Sequence, residues 1–286
     1  MPEVSRMLQR LARAKSVRLE ILEKDYALSY LLVALAETPG LGDQIGLKGG
    51  TALRKLYYPG YRFSEDLDYS TVHLGPLAEG AHTMGIAIDR MTELLQEHGP
   101  FAVQFEPLTL RLPHPGQQIA YLVRVQFPYH RQPLCRLKVE ITTDEPILLP
   151  LEYRPVLHEF DEPLAAKVSV YDLKEIVAEK LRALLQAREK LVERGWGASR
   201  VCRDYYDLWC VLQREGQMNG QIPDLLIQKC AVRHVKFETC EDFVSKDLLN
   251  VVHTEWQQQL LPFVPGAPQV EQVLADIQEM IPALWD

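Results

Sequence analysis

The sequence contains no apolar run long enough to cross a bilayer, which takes about 20 residues. Its most apolar early stretch, Ala27 to Ala36, falls short of that length and contains Ser29. Arg6, Arg10, Arg13 and Lys15 interrupt the beginning of the chain, so no secretory leader is expected there. Cysteine is scarce. The five residues Cys135, Cys202, Cys210, Cys230 and Cys240 form no CxxC pair and no zinc spacing, which speaks against a disulfide framework or a zinc ribbon and suits a reducing compartment. Internal repeats and low-complexity tracts are absent as well, so solenoids and linker-like chains drop out. What remains to expect is a soluble, cytoplasmic protein with no membrane partner and an ordinary core, 286 residues long and 47% hydrophobic.

Positive charge is outnumbered overall, with a formal net of -8, but the imbalance is local. Residues 238–286 hold nine Asp and Glu against Lys246 alone, and residues 1–237 are balanced at thirty acids and thirty bases. Residues 107–139 carry Arg111, Arg124, Arg131, Arg136 and Lys138 and no acid before Glu140. A polyanionic partner is therefore compatible with the acidic total, because a phosphate backbone responds to the local field.

The pattern of apolar residues predicts an α+β fold: a mixed sheet with flanking helices over residues 1–160, followed by a C-terminal helical bundle over 161–286. Leu28, Leu31, Leu32 and Leu35 recur at helical spacing, giving a helix over 24–37 that Thr38-Pro39-Gly40 ends. A short apolar stretch, Ile45 to Leu47, runs into Gly49-Gly50, and a short helix is expected over 51–58 before the Pro59-Gly60 turn. Strands are expected over 62–70, 121–127 and 134–141, and a helix over 83–97. The proline-rich stretch 146–163 reads as a connector, with helices beyond it at 172–193, 200–214, 239–260 and 268–282.

Within this frame the carboxylates draw attention. Side chains alternate along a strand, so Asp66 and Asp68 point to one face. Two carboxylates on one face repel each other, and a cation relieves that cost. All-oxygen ligation favours Mg²⁺ or Mn²⁺. Gly49 and Gly50 let backbone N–H groups approach a phosphate closely, and Thr51 adds a hydroxyl. Glu140, on a strand whose Arg136 and Lys138 share its face, is the candidate third metal carboxylate. Tyr205, Tyr206 and Trp209 read as helix core rather than as stacking platforms.

Leu47-Lys48-Gly49-Gly50-Thr51-Ala52-Leu53, followed by Arg62-Phe63-Ser64-Glu65-Asp66-Leu67-Asp68, resembles the first motif of the AbiEii-like nucleotidyltransferase toxins. These belong to the polymerase-β-like superfamily and include the MenT toxins. Lys138-Val139-Glu140-Ile141 resembles the second motif, Glu175 to Lys180 the third, and Arg203-Asp204-Tyr205-Tyr206-Asp207-Leu208 the fourth. Glu23-Lys24-Asp25-Tyr26 is similar to the family's opening helix. The likeness spans residues 23–210. It implies transfer of a nucleotide from an NTP by a magnesium-dependent two-metal mechanism, with the tRNA 3′ end as acceptor in some relatives and a cognate antitoxin as partner. Asp66, Asp68 and Glu140 would then hold metal, and Lys180 and Asp207 would join them as catalytic residues. Gly49, Gly50, Thr51, Arg62, Ser64 and Lys138 would contact the nucleotide. The competing readings are a metal-dependent nuclease, which needs no triphosphate cradle, transfer to a small acceptor such as an aminoglycoside, and a non-catalytic partner-binding module.

Overall fold

The computed structural model describes residues 3–77, 79–109, 116–216, 218 and 220–285. Arg111 of the basic strip lies outside them. The chain divides into two compact units, Met1–Tyr171 and Asp172–Asp286.

The first unit is laid out as helices α1 (Glu3–Lys15) and α2 (Leu19–Glu37), strand β1 (Ile45–Lys48), the single turn α3 (Gly49–Ala52) with a π-helical continuation over Leu53–Tyr57, and strand β2 (Asp66–Thr71). Helix α4 (Gly80–Gln96) and strands β3 (Ala102–Pro107), β4 (Gln118–Gln126), β5 (Cys135–Thr142), β6 (Glu152–Pro155) and β7 (Lys167–Val170) complete it. The strands form one sheet in the order β3-β4-β5-β2-β1-β7-β6. The β2–β5 and β1–β7 pairs are parallel and the others antiparallel, so the sheet is mixed, as expected.

Alternation gives the sheet two unlike faces. Leu47, Leu67, Tyr69, Val123, Val139 and Ile141 are buried on one of them, and α2 packs against that sheet. Helix α2 is apolar nearly all round because it lies inside the unit. It ends where Thr38 turns extended, with the Thr38 hydroxyl bonded to the Ala34 carbonyl at 2.7 Å. The opposite face carries the polar and charged residues and is where the site is built.

The second unit is helical: α5 (Leu173–Arg194), α6 (Val201–Glu215), α7 (Ile222–Arg233), α8 (Lys246–Leu260) and α9 (Val270–Met280), with a 3-10 turn at Cys240–Val244. Asp172 caps α5 by accepting from the Lys174 N–H at 2.8 Å, and Gly195 ends it at φ +73°. The helix expected over 239–260 is broken at Ser245, which adopts non-helical backbone between the 3-10 turn and α8. Strand β6 lies inside the stretch read as a connector, and α1 and α7 have no counterpart among the expected elements.

Candidate active site

The sheet register brings the predicted residues together in rows. In the first row Lys48 of β1 lies opposite Asp68 of β2, Asp68 beside Glu140 of β5, and Glu140 opposite Ala120 of β4. In the next row Asp66 pairs with Lys138 and Lys138 with Leu122. In the third, Arg136 lies opposite Arg124. Because register neighbours point to the same face, Asp66, Asp68 and Glu140 share one surface with Lys48, Lys138, Arg136 and Arg124. Three carboxylates from two strands therefore stand in adjacent rows, with cations continuing along the same face.

The glycine turn sits against this surface. Gly49 has φ +75°, a conformation that L side chains rarely adopt, and a Cβ there would lie 3.1 Å from Asp68 Oδ2. A Cβ on Gly50 would collide with Arg62 Nη2. Gly49 is thus required by its backbone conformation and a close carboxylate, whereas at Gly50 a side chain would have to push the Arg62 guanidinium aside. Arg62 is 6% exposed and donates from Nη1 to the Phe63 carbonyl at 3.1 Å. Thr51 is buried, and its hydroxyl bonds to the Asp66 carbonyl, so it holds β2 against the glycine turn. Ser64 is half-buried in the extended segment that enters β2. The strand itself starts at Asp66, four residues later than alternation suggested. The sheet register begins only there; before it, Arg62 turns back to Gly50 and Glu65 to Lys24, at 2.6 Å.

Among the described residues, no group of three or more His, Cys, Asp and Glu side chains is arranged to hold a metal ion. Glu140 explains part of this, since its Oε1 is 2.8 Å from Lys138 Nζ. The donor chemistry nevertheless fits a hard divalent cation: Asp66 and Asp68 offer only oxygen, from alternate positions of one strand, with Glu140 one register step away. The Lys138 ammonium and a cation would compete for the Glu140 carboxylate.

In the second unit Lys180 is bound by two acids, Asp204 at 2.9 Å and Asp207 at 2.6 Å. Asp207 is fully buried and Lys180 nearly so, so Asp207 serves as a counter-ion to the lysine. Tyr205 is buried, with its hydroxyl bonded to the Phe243 carbonyl, and Trp209 bonds to Asp276 at 2.7 Å. Both act as helix packing.

Two contributors escaped the reading of the sequence. Lys48, 8% exposed, ends β1 beside Asp68 with its ammonium 5.6 Å from the Tyr171 ring centre; its place directly before the glycines was the available signal. Arg54 lies between the glycine turn and the carboxylate strand. It bonds Asp25 and the Tyr61 carbonyl and stacks 3.9 Å from the Phe63 ring centre. Nothing local marks that role.

No curated protein shows significant sequence similarity to the chain. Among solved structures, MenT4, a nucleotidyltransferase toxin from Mycobacterium tuberculosis, matches with a TM-score of 0.64 and 21% identity, covering 98% of this chain and 88% of that one. This is a likeness of fold. The model of the family described as nucleotidyl transferase AbiEii toxin, type IV TA system, matches residues 30–277. The match takes in the glycine turn, all three carboxylates and the Lys180 cluster, and the chain belongs to the AbiEii nucleotidyltransferase toxin family.

Proposed function

We propose that the chain transfers a nucleotide from an NTP to the 3′ end of an RNA, with tRNA as the acceptor, and that this transfer is its toxic activity within a toxin–antitoxin pair. The observation that carries this reading is the row Lys48–Asp68–Glu140 beside Gly49, where a carboxylate set, a cation and a side-chain-free backbone meet on one sheet face.

The acceptor hydroxyl oxygen forms a bond to the α-phosphorus while the bond to the bridging oxygen breaks. Pyrophosphate leaves with that electron pair and the hydroxyl proton is released. Asp66 and Asp68, joined by Glu140, would hold Mg²⁺ or Mn²⁺, which when bound supplies positive charge to the phosphate oxygens and makes the hydroxyl more acidic. The remaining work falls to the protein. The first-turn N–H groups of Gly49 to Thr51 have no partners within their own turn and suit the β- and γ-phosphates. Arg62, held against Gly50, and Lys138 add positive charge there. Lys180, paired with Asp204 and Asp207, is the second unit's candidate for a phosphate contact. The acceptor backbone follows Lys138, Arg136 and Arg124, which lead away from the carboxylates row by row; Arg124 also pairs with Glu106 at 2.6 Å.

The test is incubation of the whole chain with α-labelled NTP, Mg²⁺ and total tRNA, using each of the four nucleotides in turn. Intact, labelled RNA with the wild type and none with Asp68→Asn is the expected result. Shortened RNA would assign the site to cleavage, and label on a small molecule alone would remove RNA as the acceptor.

A further inference from the structure

The loop that follows α5 displays an aromatic side chain in an unusual setting. Trp196 is 68% exposed, and Val192, one helical turn before it, is 69% exposed. Gly195 and Gly197 flank the tryptophan at φ +73° and +111°, so the backbone on both sides takes a conformation that carries the indole outward instead of folding it onto α5. Burying an indole is worth several kilocalories per mole, and the adjoining helices bury Tyr205 and Phe243 completely. An indole left in solvent between two glycines is a poor solution for packing and a good one for an incoming planar group.

The surroundings define which planar group. From Arg188 to Arg203 there are five basic residues (Arg188, Lys190, Arg194, Arg200 and Arg203) and two acidic ones (Glu189 and Glu193), a net of +3 in a chain of net -8. Arg188 is committed to Asp242 at 2.6 Å, and Arg203 stacks 4.0 Å from the Phe263 ring centre. Arg194 and Arg200, two residues before and four residues after Trp196 along the chain, are exposed; Glu193 stands 4.0 Å from the Arg194 guanidinium, at the limit of an ion pair. The Lys190 stem packs beside the loop, since a Cβ on Gly197 would lie 3.3 Å from its Cβ and Cδ. An exposed aromatic ring bordered by cations is what an unpaired nucleotide needs: a face for the base and charges for the phosphates. A duplex would leave the indole without a base to stack on.

We infer that Trp196, with Arg194 and Arg200, is a stacking platform that holds an unpaired nucleotide of the RNA acceptor. The inference rests on the reading that the acceptor is RNA. It adds a positioning residue within the second unit that acts on RNA affinity and not on the NTP.

The test separates binding from transfer. The whole Asp68→Asn chain, without NTP, is titrated into a fluorescein-labelled single-stranded RNA of about 10 nucleotides and followed by anisotropy. Adding Trp196→Ala should weaken binding about tenfold, whereas Trp196→Phe, which keeps an aromatic face, should stay within about threefold. Changing both Arg194 and Arg200 to Gln should reduce the dependence of log affinity on log salt by about one. In the active protein, Trp196→Ala should raise the KM for RNA and leave the KM for NTP unchanged. Trp196→Ala binding within about twofold of its parent would overturn the inference even if transfer to RNA is seen. RNA binding that depends on Trp196 would sustain the platform even if no transfer occurs. A surface that ignores RNA but loses antitoxin binding on Trp196→Ala is a protein-docking face, and the platform is then wrong.

Discussion

Asp25 of α2 and Arg54, just beyond the glycine turn, meet inside the first unit as a two-point pair, Nε to Oδ1 at 2.5 Å and Nη2 to Oδ2 at 2.9 Å. Lys55 joins the same carboxylate at 2.9 Å and is itself fully buried. Burial alone would raise the Asp25 pKa, but the charges of Lys55 and Arg54 more than reverse this and hold it well below the usual carboxylate range. Burial pushes the Lys55 ammonium down to about 8, with Asp25 opposing that fall. The cluster fixes the segment that connects the glycine turn to the carboxylate strand, because Arg54 also reaches the Tyr61 carbonyl and Glu159.

Removing the shared acid leaves two buried cations facing each other. Asp25→Asn should lower the unfolding free energy by about 3–5 kcal/mol in urea denaturation. Adding Lys55→Met should recover part of that loss, because it removes one uncompensated charge, and the two changes should be clearly non-additive. A single-variant loss below about 1 kcal/mol would show that solvent reaches the cluster and relieves it.

Gly50→Ala tests the cradle apart from the fold. Its new methyl meets the end of the Arg62 side chain, which can be displaced, whereas Gly49→Ala strains the backbone at φ +75° and crowds Asp68. Gly50→Ala should therefore raise the KM for NTP by roughly tenfold to a hundredfold, with a melting temperature within a few degrees of wild type. Gly49→Ala should lose both activity and stability. Equal KM values for wild type and Gly50→Ala would remove Arg62 from the nucleotide contacts.

The two Asp residues and Glu140 were readable because strand alternation is a local rule: three positions in two short segments suffice to put them on outward faces. Their meeting was not readable from those segments. It depends on the parallel pairing of β2 with β5, a contact between strands separated by a helix and two further strands. The same limit hid Asp25, Arg54, Lys55 and Lys229, which are buried although charge ordinarily marks a solvated surface. Lys229 is tied to Glu175 at 2.7 Å and to Glu179 at 3.1 Å, a partnership between helices that no spacing within one of them reveals. Helix α1 was masked differently. Val4, Met7, Leu8 and Ala12 form its buried stripe, but the arginines between them dominate the composition. Strand β6 ends on Pro155 and lies at the sheet edge, where proline is tolerated.

Lys138 occupies Glu140 at 2.8 Å, and this ion pair competes with any cation for the third carboxylate. Lys138→Met should tighten Mn²⁺ binding several-fold in a titration followed by paramagnetic resonance, while lowering transfer by about tenfold or more through loss of a phosphate contact. Glu140→Gln should weaken Mn²⁺ binding, and Asp68→Asn should weaken it further. Unchanged Mn²⁺ affinity in Lys138→Met would mean that Glu140 takes no part in holding the ion.

Acid should weaken the first unit through the segment that closes over α2. Burial opposes ionisation of Glu162, but His158, with Nε2 3.7 Å from its carboxylate, the nearby Tyr26 hydroxyl and the Tyr30 hydroxyl, which donates to it at 2.9 Å, bring its pKa to about 2 from an ordinary 4.5. Burial opposes ionisation of Glu159 as well, yet Arg54, Lys15 and the Gly60 N–H lower its pKa, and Asp25 is lowered as described. A depressed carboxylate binds fewer protons in the folded protein than in the unfolded one, so its stabilisation is complete above the ordinary value and drains away as pH falls toward the folded one. For Glu162 that window runs from 4.5 down to about 2. Glu23 runs the other way, since burial raises its pKa, but it is one group against three. The melting temperature should therefore hold steady above about pH 5 and fall progressively below about 4.5. Glu162→Gln, which no longer titrates, should melt lower than wild type at about pH 7 and show a shallower decline between about pH 4.5 and 2.5 by circular dichroism. Parallel declines in the two proteins would place the acid sensitivity in other groups.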